Sequence, residues 1–592
     1  MITVFKYGVH YRWQVPEVLR EQLWLGHQLR EDLVTLQLEY EAGLKAIWSS
    51  YPDVAAAEES LATAAAEALE AAEEVSRQRQ VQRTKRITGP AADALAAARK
   101  RAKEARVVRR SAIAAVKDEA AERISALAAG LRASQKAKYA EYAQGKGLYW
   151  ATFGDVLDHH KTAVKMVAAK RAAGRPAALR HHRFDGTGAV AVQLQRPAGK
   201  PQRTPALISD PVASNWRNVL HLPWVDPEQW EQMTRAEQRA QGRVIVRMRC
   251  GADIIEVPVQ VHRMLPADAD ITGARLVVAR EGSDYRISLT VTARIGDPEP
   301  VTAGPTVALH FGWRGSDAGP VVVRWQSDAP VDIPNDCSAF MVGDRWGGKI
   351  VMPSVIVDRL ESAAAIQAGR DEQLNTVRAA VVEWLTVNGP VPHPIRDGEE
   401  ISSADASRWR RPARFAALAG WWRDAPPAGG EQIAEVLEAW RASDKRLWNT
   451  QVHTAGRALR RRDDLYRQVA AIFADQAGLV VVDDTDMGAV AASRSDAPTA
   501  VTDPAARRRT YAAPGVLRAS IVAAAAREGV PVRSVSHKGM SVIHAECGTV
   551  NECDDRFLSA LIKCEGCGKV YNQDVNALEV VMREGRRHTS VA

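Results

Sequence analysis

Cysteine is scarce in this chain: six in 592 residues, with four of them between Cys547 and Cys567. So sparse a set excludes a disulfide-held scaffold, and clustered cysteines in a reducing compartment read as metal ligands. Long apolar runs are missing as well. None reaches the ~18–20 residues a membrane-crossing helix needs, which predicts no membrane association. The opening MITVFKYGVHYRWQVPEVL holds no apolar core of the signal-peptide kind, which predicts a cytoplasmic protein. Apolar (46%) and charged (25%) fractions are those of globular chains, and the length suits about four domains of ~150 residues each.

Charge is unevenly placed. The net value is +8, yet Arg77 to Lys138 holds 17 Lys and Arg against 5 Asp and Glu, and Asp53 to Glu74 carries acids only. A basic helical surface is the footprint of a polyanion, because phosphate contacts release counterions. The alternative is a solvated coiled-coil face. Arg99, Arg101 and Arg109 are the residues on which the two readings divide.

Residues 1–15 read as a strand pair or strand-like arm. Leu19, Leu23, Leu29, Leu33 and Leu36 recur at helical spacing, and alanine-rich helices continue to about Ala143, broken at Tyr51-Pro52 and Gly89-Pro90. From GRPAALRHHRFDG to about Gly296, short β-type runs such as RVIVRMRC and YRISLTVTAR predict a barrel or a small antiparallel sheet. Its outward positions are Arg-rich: Arg243, Arg247, Arg249, Arg263, Arg275, Arg286 and Arg294. A linker surrounds Pro298. Strands TVALHFGWR, PVVVRWQ and KIVMPSVIV follow, then helices over roughly 358–475, then the buried-strand pattern GLVVVDDTD. This is the element order of a ribonuclease-H-like α/β fold, although order alone does not decide it.

The cysteine cluster is the sharpest motif. Zinc favours four tetrahedral N and S ligands drawn from two tight turns. KCEGCGK supplies Cys564 and Cys567, and HAECG supplies His544 and Cys547 with the same spacing and the same following glycine. Cys553 stands in reserve. A zinc ribbon by itself says nothing about function.

Its neighbours say more. HKGMSVIHAECG, then CEGCGKVYNQDVNALEVV, with Asp574, Asn576 and Ala577 in the last segment, resembles the end of compact type V CRISPR effectors and their transposon-encoded TnpB relatives. The resemblance is specific over about 306–581 and only architectural before that. It implies a multidomain α+β, bilobed fold: a helical recognition lobe, a β-barrel wedge domain, and a ribonuclease-H-like (RuvC) α/β domain with an inserted zinc ribbon. The implied domains are wedge strands at 1–15, the recognition lobe at 16–180 and the wedge barrel at 181–297. The RuvC-like domain spans 298–540 with a helical insertion at about 358–475. The ribbon takes 541–572 and the last RuvC helix and tail 573–592.

The family's three metal-binding carboxylates fall on His310 of VALHFGWRG, Asp483 of VVVDDTD, with Asp484 and Asp486 beside it, and Asp574. A histidine at the first position is a poor ligand for Mg²⁺, which prefers oxygen. The resemblance therefore extends to the M subtype, which binds DNA through a guide RNA and silences without cutting. It implies structural Zn²⁺, residual Mg²⁺ at Asp483 and Asp574 if any, a CRISPR guide RNA, double-stranded target DNA with a flanking motif, and a monomeric protein. Guide pairing then reads sequence while the protein reads the flanking motif. The alternatives are an active RNA-guided RuvC endonuclease of type V or TnpB-like kind, and a non-guided zinc-ribbon DNA-binding protein.

Tyr149, Trp150, His159, His160 and Lys161 are the candidates for touching flanking-motif duplex, with a helix-bundle core as the competing assignment. The Arg/Trp clusters at 408–423 and 440–448 are candidates for clamping the hybrid or for core. Arg507, Arg508 and Arg509 read as a basic loop.

Overall fold

The computed structural model describes residues 1–10, 13–82, 89–172, 177–195, 202–210, 212, 218–311, 315–316, 319–394, 398–487, 504–536, 539–551 and 561–587. The architecture is multidomain α+β. The chain forms two compact units, one of residues 1–280 and 284–296, the other of 281–283 and 297–592.

In the first unit, a seven-stranded sheet has the order β2-β6-β7-β1-β5-β4-β3. Its strands are β1 (Ile2–Val9), β2 (Gly188–Gln193), β3 (Leu220–His221), β4 (Arg243–Cys250), β5 (Asp253–Gln260), β6 (Asp270–Glu281) and β7 (Asp284–Arg294). The N-terminal arm is thus one strand rather than a pair, and it runs antiparallel to both β5 and β7. Alternation sets the faces: Val246, Met248 and Cys250 of β4 are fully buried, while Arg243 faces out. Several of the expected outward arginines have partners inside this unit. Arg247 pairs with Glu256 directly across the ladder at 3.4 Å, Arg275 pairs with Asp155, and Arg263 lies over the Phe5 ring at 4.5 Å.

Helix α1 (Glu17–Ser49) uses its periodicity twice. Leu19 and Leu23 enter the sheet core; Leu25, Leu29 and Leu33 join Tyr142, Leu148 and Phe153 in a second cluster. Helices α2 (Pro52–Gln82) and α3 (Pro90–Tyr139) pack through small residues, Ala64 against Ala102 and Ala105. Arg101 lies 3.0 Å from Glu67, and Arg109 lies 2.7 Å from Glu58. These two arginines therefore bind the acidic stretch of α2, which accounts for part of the expected basic face.

The second unit is built on a mixed sheet of order β11-β12-β10-β8-β15-β16, with β9 (Gly315–Ser316) beside β10. Its strands are β8 (Thr306–His310), β10 (Gly319–Ser327), β11 (Met341–Gly343), β12 (Gly347–Val351), β15 (Leu479–Asp483) and β16 (Val532–Val535). Pairing is antiparallel from β11 to β8 and parallel through β15 and β16. Val307, Leu309, Trp325 and Val482 share one core with residues of the helices Ser354–Asn388, Glu431–Gln476 and Pro514–Glu528. Ala308 and Val481 meet the helix Gln573–Arg587 in a second core. That helix sits close: a Cβ at Gly585 would lie 2.5 Å from a Val481 methyl. Two small ladders complete the unit, β13 (Val391–Pro392) with β14 (Glu400–Ile401) and β17 (Leu561–Lys563) with β18 (Val570–Asn572).

The tryptophans resolve toward packing. Trp409, Trp422 and Trp440 are buried with Phe415, Leu418 and Leu437 in a helical core of their own. Phe415→Ala should cost about 3–5 kcal/mol, as large-to-small changes at fully buried aromatics do. Thermal unfolding followed by circular dichroism measures it, and an unchanged midpoint would refute the packing role. Arg507 and Arg508 lie in a helix, Pro504–Ala512, rather than a loop, with Arg508 3.7 Å from Glu361. Among the described residues no helix is long and apolar enough to cross a membrane.

Candidate carboxylate site and metal centre

His310 ends β8 and Asp483 ends the neighbouring parallel strand β15, where Val482 pairs with Leu309. The two side chains meet. His310 Nδ1–H donates to Asp483 Oδ2 at 3.0 Å, the Phe311 amide donates to the same oxygen at 2.7 Å, and the Thr485 amide donates to Oδ1 at 3.2 Å. Asp483 is fully buried. Burial pushes its carboxyl up, but the His310 hydrogen bond and charge, the Phe311 amide and Thr485 outweigh it and hold the group below the ordinary carboxylate value. The stability this contributes is present above the unfolded carboxylate range and is lost as pH falls through the lowered value.

Asp574 lies in the first turn of the helix Gln573–Arg587, which is capped by Asn572: its Oδ1 accepts from the Asp574 amide at 3.0 Å and the Val575 amide at 3.3 Å. The Asp574 carboxylate lies 3.4 Å from Arg324 Nε. Arg324 stands on β10 directly opposite His310. The same face of the sheet thus carries His310, Asp483 and Arg324, with Asp574 above it. Sequence reasoning passed over Arg324; its signal was a lone cation inside the apolar strand PVVVRWQ. Asp484 and Asp486 follow Asp483 on the exposed side of the chain.

The second centre is a cage. One ligand atom from each of His544, Cys547, Cys564 and Cys567 lies within 4.8 Å of all the others. His544 Nδ1 is 3.1 Å from Cys547 Sγ and 3.3 Å from Cys567 Sγ, and Cys547 Sγ is 3.4 Å from Cys564 Sγ. The two turns are built alike. Gly548 N–H donates to His544 O, and Gly568 N–H donates to Cys564 O. Both glycines adopt a left-handed φ, +76° and +74°, which a side chain would strain. Thr549, through its hydroxyl and amide, and then His544 bring the Cys547 thiol down to about 6. A thiolate is the form that ligates metal. Cys553 lies outside the described residues.

Two asparagines hold the cage in place. Asn551 Oδ1 accepts from Glu565 N at 2.8 Å, and its Nδ2 donates to Val542 O at 3.0 Å and Tyr571 Oη at 3.1 Å, joining the two turns. Asn576 accepts from Ala545 N at 2.7 Å and donates to Ile543 O at 2.7 Å, so the helix bearing Asp574 grips the first turn. The Asp-x-Asn spacing acquires a structural reason: one residue serves the carboxylate site, the other anchors the cage. Asn576→Ala leaves half-buried amide and carbonyl groups unpaired, so a loss of about 1–3 kcal/mol is expected. Hydrogen exchange at Ile543–Ala545 should rise with it; protection equal to that of the native chain would refute the anchoring.

The remaining candidates scatter. Tyr149 packs against the first unit's sheet core, Trp150 is half-buried, and Lys161 pairs with Asp158 at 3.3 Å. His159 and His160 line a cavity of about 600 Å³. His160 is buried, and its Nε2 has no hydrogen-bond partner among the described residues.

No family model matches the chain. A CRISPR-associated DNA-binding protein Cas12m from Mycolicibacterium mucogenicum is 52% identical over 593 residues, covering 98% of each chain. Another from Gordonia otitidis is 50% identical, covering 100% of this chain and 99% of its own. A cryo-EM structure of CasPhi-2 (Cas12j) bound to crRNA and phosphorothioate-DNA overlaps 74% of this chain and 82% of its own. Its identity is 12% and its TM-score 0.31, too loose an overlap to bear on the fold. Near-full-length identity to the first two settles kinship: the chain belongs to the Cas12m family of CRISPR-associated DNA-binding proteins.

Proposed function

We propose that the chain is an RNA-guided, DNA-binding CRISPR effector that recognises a flanking motif and guide-complementary duplex DNA and silences it by occupancy, without cutting. Membership of a family of DNA-binding proteins supports the binding. The non-cutting half rests on one observation, the His310–Asp483 pair. In this reading the second unit is the RuvC-type domain, 541–572 is its ribbon insertion and 573–592 its last helix and tail. The first unit combines the helical lobe at 16–180 with the wedge parts at 1–15 and 181–297.

The two candidate centres fare differently against their metals. His544, Cys547, Cys564 and Cys567 offer three sulfurs and a nitrogen, a donor set suited to zinc. Zinc there would staple two turns, and Asn576 carries that order into the helix that bears Asp574. Mg²⁺ requires oxygen ligands. At the carboxylate site one position is an imidazole, both Asp483 oxygens already accept hydrogen bonds, and Asp574 faces a guanidinium. This donor set does not fit Mg²⁺.

The test is purification from cells carrying a CRISPR array, sequencing of co-purified RNA, and binding and cleavage assays on matched and mismatched duplexes. Guide-dependent binding with intact DNA supports the reading. Binding indifferent to the guide would favour a non-guided zinc-ribbon protein.

A further inference from the structure

We infer that Arg324 is a built-in cation standing where a metal ion would otherwise sit between the Asp574 carboxylate and the sheet. The inference rests on the RuvC-type reading of this site and adds to it. That reading removes one carboxylate, at His310; Arg324 removes a second without changing it.

The strand register carries the argument. Antiparallel partners directly opposite each other project to the same face with Cβ atoms about 4.5–5.5 Å apart. Arg324 is opposite His310, so its side chain rises from the face that also bears Asp483. The neighbours of Arg324, Val323 and Trp325, point to the other face and belong to the large core. Its guanidinium reaches Asp574 at 3.4 Å, with the arginine side chain 25% and the aspartate side chain 13% exposed. A permanently charged group is thereby held against the carboxylate. A divalent ion would have to displace it and bring two like charges together. Nearby, His310 and backbone amides satisfy Asp483, so both acids have protein partners.

Mn²⁺ serves as a paramagnetic probe, titrated by EPR into the full-length chain freed of RNA, with circular dichroism to verify folding. Arg324→Ala should raise Mn²⁺ affinity by about tenfold or more, and adding Asp574→Asn should remove the gain. Asp574→Asn in the native background should change affinity less than twofold, because that carboxylate is not available as a ligand. A folded Arg324→Ala variant with unchanged affinity overturns the inference. So does a loss of about tenfold in Asp574→Asn alone, and this arm decides the matter if Arg324→Ala does not fold. DNA binding indifferent to the guide would mean that the chain is not an RNA-guided effector. That result sinks the guided-effector reading and leaves the Arg324–Asp574 pairing standing.

Discussion

Cys564→Ser is expected to strip zinc from the chain and abolish guide-dependent DNA binding in the same variant. Cys564 is the deeply buried corner of the four-ligand cage, at 1% exposure. In small zinc modules the metal supplies about 10–16 kcal/mol of apparent binding energy, which acts as folding energy. Serine replaces a soft sulfur with an oxygen that remains protonated, so three ligands are left. The loss then spreads: Asn551 no longer joins two ordered turns, and Asn576 grips a turn without shape. Metal analysis should fall from about one zinc per chain to near none, and target affinity should fall by about 100-fold or more. Cys250→Ser, at a buried cysteine outside the cage, should leave zinc content unchanged. A native protein free of zinc would refute the claim outright.

Given a matched duplex and Mg²⁺, the guide-loaded chain should hold DNA for hours with both strands intact. His310→Asp alone should not restore cutting. It sets a second carboxylate about 3 Å from the buried Asp483, and two such groups cannot both ionise. It also leaves Asp574 against Arg324. Only His310→Asp with Arg324→Ala assembles three acids without a protein cation among them, and nicking should emerge there first. Gel analysis of end-labelled strands reads the outcome. Target cleavage by the native chain, lost in Asp574→Ala, would establish the active-nuclease alternative instead.

What was legible in the sequence was local and covalent in scale. The cage could be read because its ligands come in pairs three residues apart with glycine behind each pair. The β15 strand could be read because five consecutive buried residues leave no helical alternative for so short a run. The long helices announced themselves by alanine content. What stayed hidden depended on register between distant strands. Nothing near Arg324 says that it faces His310, and nothing near Asn576 says that its amide closes on a turn 31 residues upstream. The charge of α3 is accounted for in part the same way, since Arg101 and Arg109 find their acids on a different helix. Tryptophan spacing favoured core over nucleic-acid contact, and the packing of 354–388 against 412–440 puts Trp409, Trp422 and Trp440 in such a core.

The parallel pairing of β8 with β15 also sets a timetable for synthesis. His310 and Asp483 are 173 residues apart in the chain. At roughly 5–20 residues per second, β8 leaves the ribosome about 10–35 s before its central partner exists. During that interval one edge of the β8–β10 ladder is open and its apolar faces are bare. The face of Ala308 waits longer still, for the helix that carries Gly585. Nascent chains stalled between residues 330 and 480 should therefore recruit chaperones strongly, and release of that binding should track the emergence of β15.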